Sequence, residues 1–304
     1  MLKKIFIEYY LNTFELEFKS ILMKVLPFKI PKPENNALIY QEDVEVVFYD
    51  KLHQHDEIQI SFIEKGNGTL LVGDKISSYA KNDIFIISSN LPHVFKSHKN
   101  IEEKSKMFSL FFTETSFGES FFELNELAEI NHFFSKSLQG LILKSNKTEI
   151  INNFMKLKNA SKLERFILFL EILKTASNAK SEPLSTFVYN KKYSDIEGKR
   201  MRNVFDFTIE NANQKINLED IADIANMTKN AFCKYFKRRT NKTYISFLTE
   251  VRIENACKFL KSKEEFSIAE IAFKSGFNNI SNFNRKFKKV KKMTPLKYQF
   301  SNKT

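Results

Sequence analysis

The stretch of sequence that decides the fold is LEDIADIANMTKNAFCKYFKRRTNKTYISFLTEVRIENACKFL, residues 218–260, followed by SIAEIAFKSGFNNISNFNRKFKKVKKMTPLKYQ, residues 267–299. The second stretch repeats the first at an offset of 50, which becomes 51 after the next turn. The matched pairs are Ile221 with Ile271, Ala222 with Ala272, Met227 with Phe277, Lys234 with Arg285, Phe236 with Phe287, Lys237 with Lys288 and Thr243 with Thr294. Such a repeat indicates two copies of one supersecondary unit.

Each copy has the pattern of a short helix, a tight turn and a second helix. In the first copy, Thr228 follows the turn and is a good N-cap for the second helix. In the second copy, Gly276 suits a helix end that needs a positive φ, and Phe283 marks the inner face of the helix that follows. The pattern predicts helix-turn-helix units at about 218–240 and 268–290, whose second helices enter the DNA major groove.

The outward faces of the two second helices are polar and basic. They carry Lys229, Asn230, Lys234, Lys237 and Arg238 in the first copy, and Asn279, Ser281, Asn282, Arg285 and Lys288 in the second. Arginine and lysine match guanine edges, asparagine matches adenine, and the remaining lysines suit phosphates. The helix predicted at about 244–260 contains no proline or glycine that would interrupt it. Its length of roughly 25 Å is the right scale to hold two reading helices near the spacing of successive major-groove segments on one face of DNA.

The charge distribution supports a division of labour along the chain. The formal net charge is +12, and residues 1–196 contain equal numbers of basic and acidic residues, so the whole excess lies in 197–304. A basic domain joined to a neutral one indicates an anionic partner for the basic part. With only 7 glycines in 304 residues, a glycine-rich phosphate loop is not expected.

The two repeated stretches resemble the DNA-binding domain of the AraC/XylS family of bacterial transcription regulators, over about residues 196–304. The motifs that carry the resemblance are IAEIAFKSGF, the series Phe283, Arg285, Phe287 and Lys288, and the series Thr294, Pro295 and Tyr298. The resemblance implies a sequence-specific regulator of transcription, an activator that acts as a homodimer on double-stranded DNA and contacts RNA polymerase.

The resemblance also assigns roles to individual residues. By alignment, the family's base-reading positions fall near Asn230, Cys233, Lys234, Ile280, Ser281 and Arg285. Asn279 and Asn282, on the same polar face, are further base-reading candidates from their residue type. Phosphate contacts are expected from Lys229, Lys237, Arg238, Lys288 and Lys289. The family usually has glycine where this chain has Asn241 and Lys292. Because lysine tolerates the left-handed conformation poorly, we expect the second of these turns to be locally different.

The first part of the chain has a different periodicity. Short β-branched and aromatic runs, VEVVFYD, IQISFIE, TLLVG, DIFIIS and KMFSLFF, alternate with turn signals between residues 36 and 113 and predict an antiparallel sandwich or small barrel. Gly66-Asn67-Gly68 is expected to form a hairpin turn. We predict a helical appendage at 1–35, a helical region at 114–177 and a linker at 178–195. The predicted fold class is therefore α+β and multidomain.

Residues 36–113 resemble the cupin-like sensor domain that precedes this DNA-binding domain in many family members. The resemblance implies a jelly-roll barrel that binds a small-molecule effector, with helices at 114–177 that mediate dimerisation. The candidate pocket residues are His53, His55, Glu57 and His93. Metal-dependent cupins use a further carboxylate, but Gln59 or Ile60 stands in its place, so we expect no metal and no cofactor.

Two alternatives remain open from the sequence. The barrel could belong to a cupin metalloenzyme fused to a DNA-binding domain, since three imidazoles can bind zinc. It could instead be filled by side chains in a regulator without an effector, which the 32 phenylalanines make reasonable. We favour a regulator that is not an enzyme.

Two cysteines are too few for a disulfide framework, and the absence of a membrane span or signal peptide predicts a cytoplasmic protein.

Overall fold

The computed structural model of the protein describes residues 37–97, 104–188, 194–262 and 266–301. The helix predicted near the amino terminus, within 1–35, lies outside these residues. The described part contains an antiparallel β-domain, a group of helices packed on it and a helical carboxy-terminal domain. This architecture matches the predicted α+β fold class.

The β-domain consists of two sheets in which every described pairing is antiparallel. The strands are β1 (Ile39–Glu45), β2 (Ile58–Lys65), β3 (Gly68–Val72), β4 (Lys75–Tyr79), β5 (Ile84–Ile87), β6 (His93–Ser97), β7 (Ser105–Phe112), β8 (Leu141–Leu143) and β9 (Ser181–Pro183). The larger sheet has the order β1-β7-β2-β5-β8-β9 and the smaller one has the order β4-β3-β6.

Two local predictions about the strands are wrong. The run VEVVFYD, residues 44–50, was expected to be a strand, but β1 ends at Glu45 because its pairing with β7 ends there. Gly66-Asn67-Gly68 was expected to close a hairpin, but it joins β2 to β3, which belong to different sheets. The tight hairpin is instead made by β3 and β4.

The central strands β2 and β5 of the larger sheet are buried on both faces. Along β2, Ile58 and Ile60 face a core that also contains helices, whereas Gln59 and Ser61 face the space between the sheets. The helices on the outer face are α1 (Ala128–Ser137), α2 (Lys147–Leu157) and α3 (Lys162–Asn178), preceded by two 3-10 turns at Phe121–Glu123 and Asn125–Leu127. The strict alternation of strand side chains explains why one strand serves two cores.

The structure corrects the prediction of a linker at 178–195. Residues 181–183 form β9, which pairs with β8, and β8 pairs with β5 within the larger sheet. The region 114–177, predicted as helical, likewise contains β8. Strands of three residues are too short to show an alternating pattern, so the sequence alone does not reveal them.

The carboxy-terminal domain is built on one long helix. Its helices are α4 (Asp195–Asn211), α5 (Leu218–Ile224), α6 (Lys229–Thr240), α7 (Tyr244–Lys261), α8 (Ile268–Lys274), α9 (Ile280–Lys291) and α10 (Pro295–Phe300). The first half of α7, with Phe247 and Val251, packs in one core with α5 and α6. The second half, with Ala256 and Leu260, packs in a separate core with α8 and α9.

The smaller sheet joins the two domains. In β3, Leu70 points between the sheets, while its neighbour Leu71 points outward into the core of the first helix-turn-helix unit. Ile76 and Val94, on the flanking strands, lie in the same core. The first helix-turn-helix unit and the β-domain therefore share one hydrophobic core, and the second unit has a core of its own.

Candidate nucleic-acid interface and sensor pocket

The turns of the two helix-turn-helix units have the same geometry. The backbone N–H of Met227 donates to Ala222 O at 2.9 Å, and that of Phe277 donates to Ala272 O at 3.0 Å. The residue before each donor has a left-handed backbone conformation, with φ of 50° at Asn226 and 89° at Gly276. Asparagine and glycine are the residues that adopt this conformation most readily, so each sequence suits its turn.

Each second helix begins at a capping side chain. The Thr228 hydroxyl accepts from Ala231 N at the start of α6, and the Asn279 side chain accepts from Asn282 N, at 3.0 Å, at the start of α9. Asn279 was predicted to read bases, and the structure places its amide oxygen in this cap. One acceptor position of this side chain is therefore used inside the protein.

The ends of the second helices correct a prediction. Asn241, which follows α6, has φ 54° and ψ 14°, and Lys292, which follows α9, has φ 60° and ψ 11°. The second turn was expected to differ because it lacks a glycine, but both turns have the left-handed conformation. The backbone N–H of Lys292 donates to Lys288 O at 3.0 Å, so the second turn is closed by a backbone hydrogen bond despite the steric cost of a side chain there, which is about 1–2 kcal/mol.

The predicted base-reading residues of each unit are exposed to solvent, with one exception. Asn230, Lys234, Ile280, Ser281, Asn282 and Arg285 are exposed. Cys233 is half-buried and packs against the core of the first unit, which leaves only part of its side chain for a ligand. Arg285 donates to Asn282 Oδ1 at 3.0 Å, so two polar groups on α9 are oriented by each other.

The predicted phosphate-contacting residues are also exposed: Lys229, Lys237, Arg238, Lys288 and Lys289. Lys229 has a partner on α5, because its ammonium lies 2.6 Å from a carboxylate oxygen of Glu219. This hydrogen bond lowers the pKa of the Glu219 carboxyl and raises the pKa of Lys229. Lys229 is thus held at the amino end of α6 by an exposed ion pair.

Three of the four predicted pocket residues form one cluster. The rings of His53 and His93 have centroids 4.3 Å apart, and the ring of His55 lies 5.0 Å from that of His93. His55 and His93 are 2% and 1% exposed. The fourth residue, Glu57, lies at the edge of the cluster, with a carboxylate oxygen 3.7 Å from His55 Nδ1.

A row of buried polar groups next to the cluster was not predicted as part of the site. Gln59 Oε1 lies 3.1 Å from His55 Nε2, and the Gln59 amide nitrogen donates to Ser61 Oγ at 2.7 Å. Ser61 Oγ in turn lies 2.7 Å from Ser109 Oγ on the neighbouring strand. The signal in the sequence was polar residues at alternate positions of otherwise apolar strands, IQISFIE and KMFSLFF.

A buried carboxylate at the domain boundary was also missed. Asp74, fully buried in the β3–β4 turn, accepts hydrogen bonds from the Ser185 hydroxyl at 2.9 Å and from the Thr186 hydroxyl at 2.6 Å. The ammonium of Lys242, between α6 and α7, lies 3.3 Å from Asp74 and 2.8 Å from Glu250. Burial raises the pKa of Glu250. These groups attach the first helix-turn-helix unit to the β-domain.

Comparison with known proteins agrees with this two-part geometry. A family model described as AraC-like ligand binding domain matches residues 37–145, and one described as helix-turn-helix domain matches residues 221–300. Together they cover more than half of the chain. The chain belongs to the AraC family of transcriptional regulators.

Two of the curated relatives of this AraC-family regulator match most of its length, and a third matches less than one third of it. An uncharacterized HTH-type transcriptional regulator of Bacillus subtilis, YdeC, is 26% identical over 259 residues, which are 84% of this chain and 87% of that protein. The HTH-type transcriptional activator RhaR of Mannheimia succiniciproducens is 26% identical over 257 residues, which are 82% of this chain and 86% of that protein. The TetD protein of transposon Tn10 of Escherichia coli is 35% identical over 89 residues, which are 29% of this chain and 64% of that protein.

The described helices of this regulator include none that combines the length and the hydropathy of a membrane span.

The matches to known proteins show that the chain has an amino-terminal ligand-binding domain and a DNA-binding helix-turn-helix domain, and that it regulates transcription.

Proposed function

We propose that this regulator recognises a specific DNA site by placing α6 and α9 in two successive segments of the major groove. The observation that supports this proposal is the repetition of the second helix with its turn, cap and exposed polar face at a fixed offset. α7 contributes to both cores, so it fixes the separation of the two reading helices. Its 18 residues span about 27 Å.

The two kinds of DNA contact are distinguished by substituting one residue of each kind on α9. Arg285→Ala should weaken specific binding by about 1–3 kcal/mol and relax the base preference at one position, because it removes a base-edge contact. Lys288→Ala should weaken binding to all sequences alike and reduce the slope of the salt dependence by about 1. Both are measured with the full-length chain by fluorescence anisotropy on specific and scrambled duplexes. An equal loss on both duplexes for Arg285→Ala would contradict base reading.

The regulator acts as an activator in this proposal, by analogy with RhaR, and its partner at the promoter is RNA polymerase. It works in the cytoplasm, where its DNA lies, and it binds ligands rather than transforming them. The alternative of a metalloenzyme is not part of this proposal, because the position at which a metal-dependent cupin has a carboxylate holds the amide of Gln59, which cannot act as a general base.

The regulator forms a homodimer through the outer surface of α2 and α3. Leu163 and Ile167 occupy one face of α3 and are 68% and 49% exposed, and Met155 on α2 is 50% exposed beside them. Contiguous exposed apolar side chains of this kind are typical of interaction sites. Replacing Leu163 and Ile167 by glutamate should give a monomer in sedimentation equilibrium, whereas Leu296→Glu, at a similarly exposed leucine on α10, should leave the dimer intact. A dimer that persists in the double variant refutes this interface.

The sensor site is the cluster formed by His53, His55 and His93, with Glu57 at its edge. Large side chains fill much of the space between the two sheets, which favours a small ligand or none. They include Phe48, Tyr79, Phe85, Phe95 and Met107, all buried in one core. The second candidate, a regulator without an effector, is favoured by the same observation.

A further inference from the structure

The three histidines of the sensor cluster come from two segments that the backbone holds together. The N–H of His53 donates to His93 O at 3.1 Å, and the N–H of His93 donates to His53 O at 2.9 Å. This isolated antiparallel bridge lies just before β2 and at the first residue of β6. His55 follows two residues after His53, so all three imidazoles are attached to one rigid backbone element.

Each imidazole is oriented by the same kind of hydrogen bond. The Nδ1 atoms of His53, His55 and His93 lie 2.8, 2.9 and 2.8 Å from the backbone carbonyl oxygens of Lys51, Glu57 and Leu91. A carbonyl oxygen only accepts, so each Nδ1 carries a hydrogen and the atom left for a metal is Nε2. On His55 this Nε2 also faces an acceptor, Gln59 Oε1 at 3.1 Å, so on this ring a bound ion takes the place of a proton between the two atoms. A backbone carbonyl that accepts from the second ring nitrogen is the usual support of a metal-binding histidine.

The ligand atoms of the three rings converge. One ring nitrogen of each histidine lies within 4.8 Å of those of the other two. Nitrogens bound to one tetrahedral zinc ion at 2.0–2.1 Å lie about 3.3 Å apart. The three nitrogens therefore have to approach each other by about 1.5 Å or less to share one ion.

We propose that His53, His55 and His93 bind one divalent transition-metal ion of the zinc class. Imidazole donors suit Zn²⁺, Ni²⁺, Cu²⁺ and Fe²⁺ and discriminate against Mg²⁺ and Ca²⁺, which prefer oxygen. An atom-sized ligand fits a site whose rings are only 4.3–6.0 Å apart between their centroids. This inference revises the expectation of a metal-free pocket, which rested on the missing carboxylate.

The surroundings of the cluster fit a positively charged ligand. The amide oxygen of Gln59 is close to His55 Nε2 and is available as a fourth, neutral ligand. The carboxylate of Glu57, beside His55 Nδ1, supplies negative charge without direct coordination. The ring of Phe111 lies edge-on to His55, with 5.4 Å between the centroids, and limits access of water from that side.

The site is one residue away from the boundary with the DNA-binding domain. Leu52, next to His53, and Val94, next to His93, lie in the core shared with the first helix-turn-helix unit. Leu52 O also accepts from Arg202 Nε on α4 at 2.8 Å. An ion that holds the two histidine segments together therefore acts directly on the surface against which the first unit packs. This consequence rests on the proposed regulatory function, whereas ion binding does not.

The test uses the full-length chain, freed of metal with a chelator and then titrated with Co²⁺ and Zn²⁺. We expect one ion per chain by elemental analysis, with Co²⁺ giving the visible absorption of a tetrahedral nitrogen-rich site. His55→Ala and His93→Ala should weaken binding about 100-fold or more, and His132→Ala, an exposed histidine on α1, should leave it unchanged. Circular dichroism of each variant checks that it is folded.

A second variant keeps all three histidines. Gln59→Glu supplies a carboxylate at the fourth position and should tighten Zn²⁺ binding by about 10-fold or more. Absence of stoichiometric binding by the wild-type chain, or equal affinity in the His55, His93 and His132 variants, would overturn the proposal. DNA binding is measured on the same preparations. A chain that binds its DNA site but no ion contradicts the metal site alone, and one that binds the ion but no DNA contradicts the proposed function alone.

Discussion

The two helix-turn-helix units share one geometry and differ in what supports them. The first unit packs with Leu71 and Ile76 of the smaller sheet in a common core, and Lys242 links it to the buried Asp74. The second unit has its own core, in which Phe283 and Phe287 pack against the far half of α7. The β-domain therefore packs directly against the first unit, whereas the second unit meets that shared core through α7 and through the close approach of Gly276 to Ala212.

The largest expected effect comes from the turn of the second unit. In Gly276→Ala, the new Cβ would lie 2.4 Å from Ala212 O, and the position has φ +89°, so the free energy of unfolding should fall by at least about 3 kcal/mol. Asn226→Ala, at the equivalent exposed position of the first unit, should cost about 1 kcal/mol. Urea denaturation measures the free energy of unfolding of both variants. Similar losses in the two variants would show that the turns are not distinguished by the neighbouring Ala212 backbone.

A matched pair in β3 tests the shared core. Leu70→Ala and Leu71→Ala each remove a fully buried leucine and should destabilise the protein by about 2–3 kcal/mol. Because Leu71 faces the first unit and Leu70 faces the barrel, only Leu71→Ala should lower hydrogen-exchange protection in α6. Protection in α9 is the internal control. If both variants lower protection in α6 to the same extent, the shared core does not couple the domains.

The smallest expected effect concerns the left-handed turns after the reading helices. Lys292→Gly removes the steric cost of a side chain at φ 60° and should raise the free energy of unfolding by about 0.5–1 kcal/mol. Asn241→Gly should change it by a few tenths at most, since asparagine tolerates this conformation. Differential scanning calorimetry measures the melting temperatures of the two variants and of the wild-type chain. A lower melting temperature for Lys292→Gly would mean that the lysine side chain has a stabilising contact.

Most of the carboxy-terminal domain could be predicted from the sequence, because its signals are local. Thr228 and Thr294 mark helix starts through their side-chain hydroxyls, Gly276 marks a turn through its positive φ, and the repeat doubles the evidence for each element. The β-domain was less predictable. β9 contains only three residues and exists because β8 offers it an edge, and Asp74 is buried because Ser185 and Thr186 return to meet it.

The candidate site was partly predictable for the same reason. His53, His55 and His93 could be selected by residue type, but the sequence does not contain the carbonyl contacts that orient their rings. The role of Asn279 as a cap and the partial burial of Cys233 likewise depend on how α9 and α6 begin and pack. Tertiary contacts, rather than residue types, decide which side chains of a motif are available to a ligand.

The central claim is that two copies of one unit read adjacent turns of a single duplex. Selection of binding sites from randomised DNA by the full-length chain tests it most directly. The account predicts, for each chain, two conserved blocks whose centres are about 10–10.5 base pairs apart, with Arg285→Ala losing base preference in only one of them. A single block per chain, or no preference for any sequence, would contradict it.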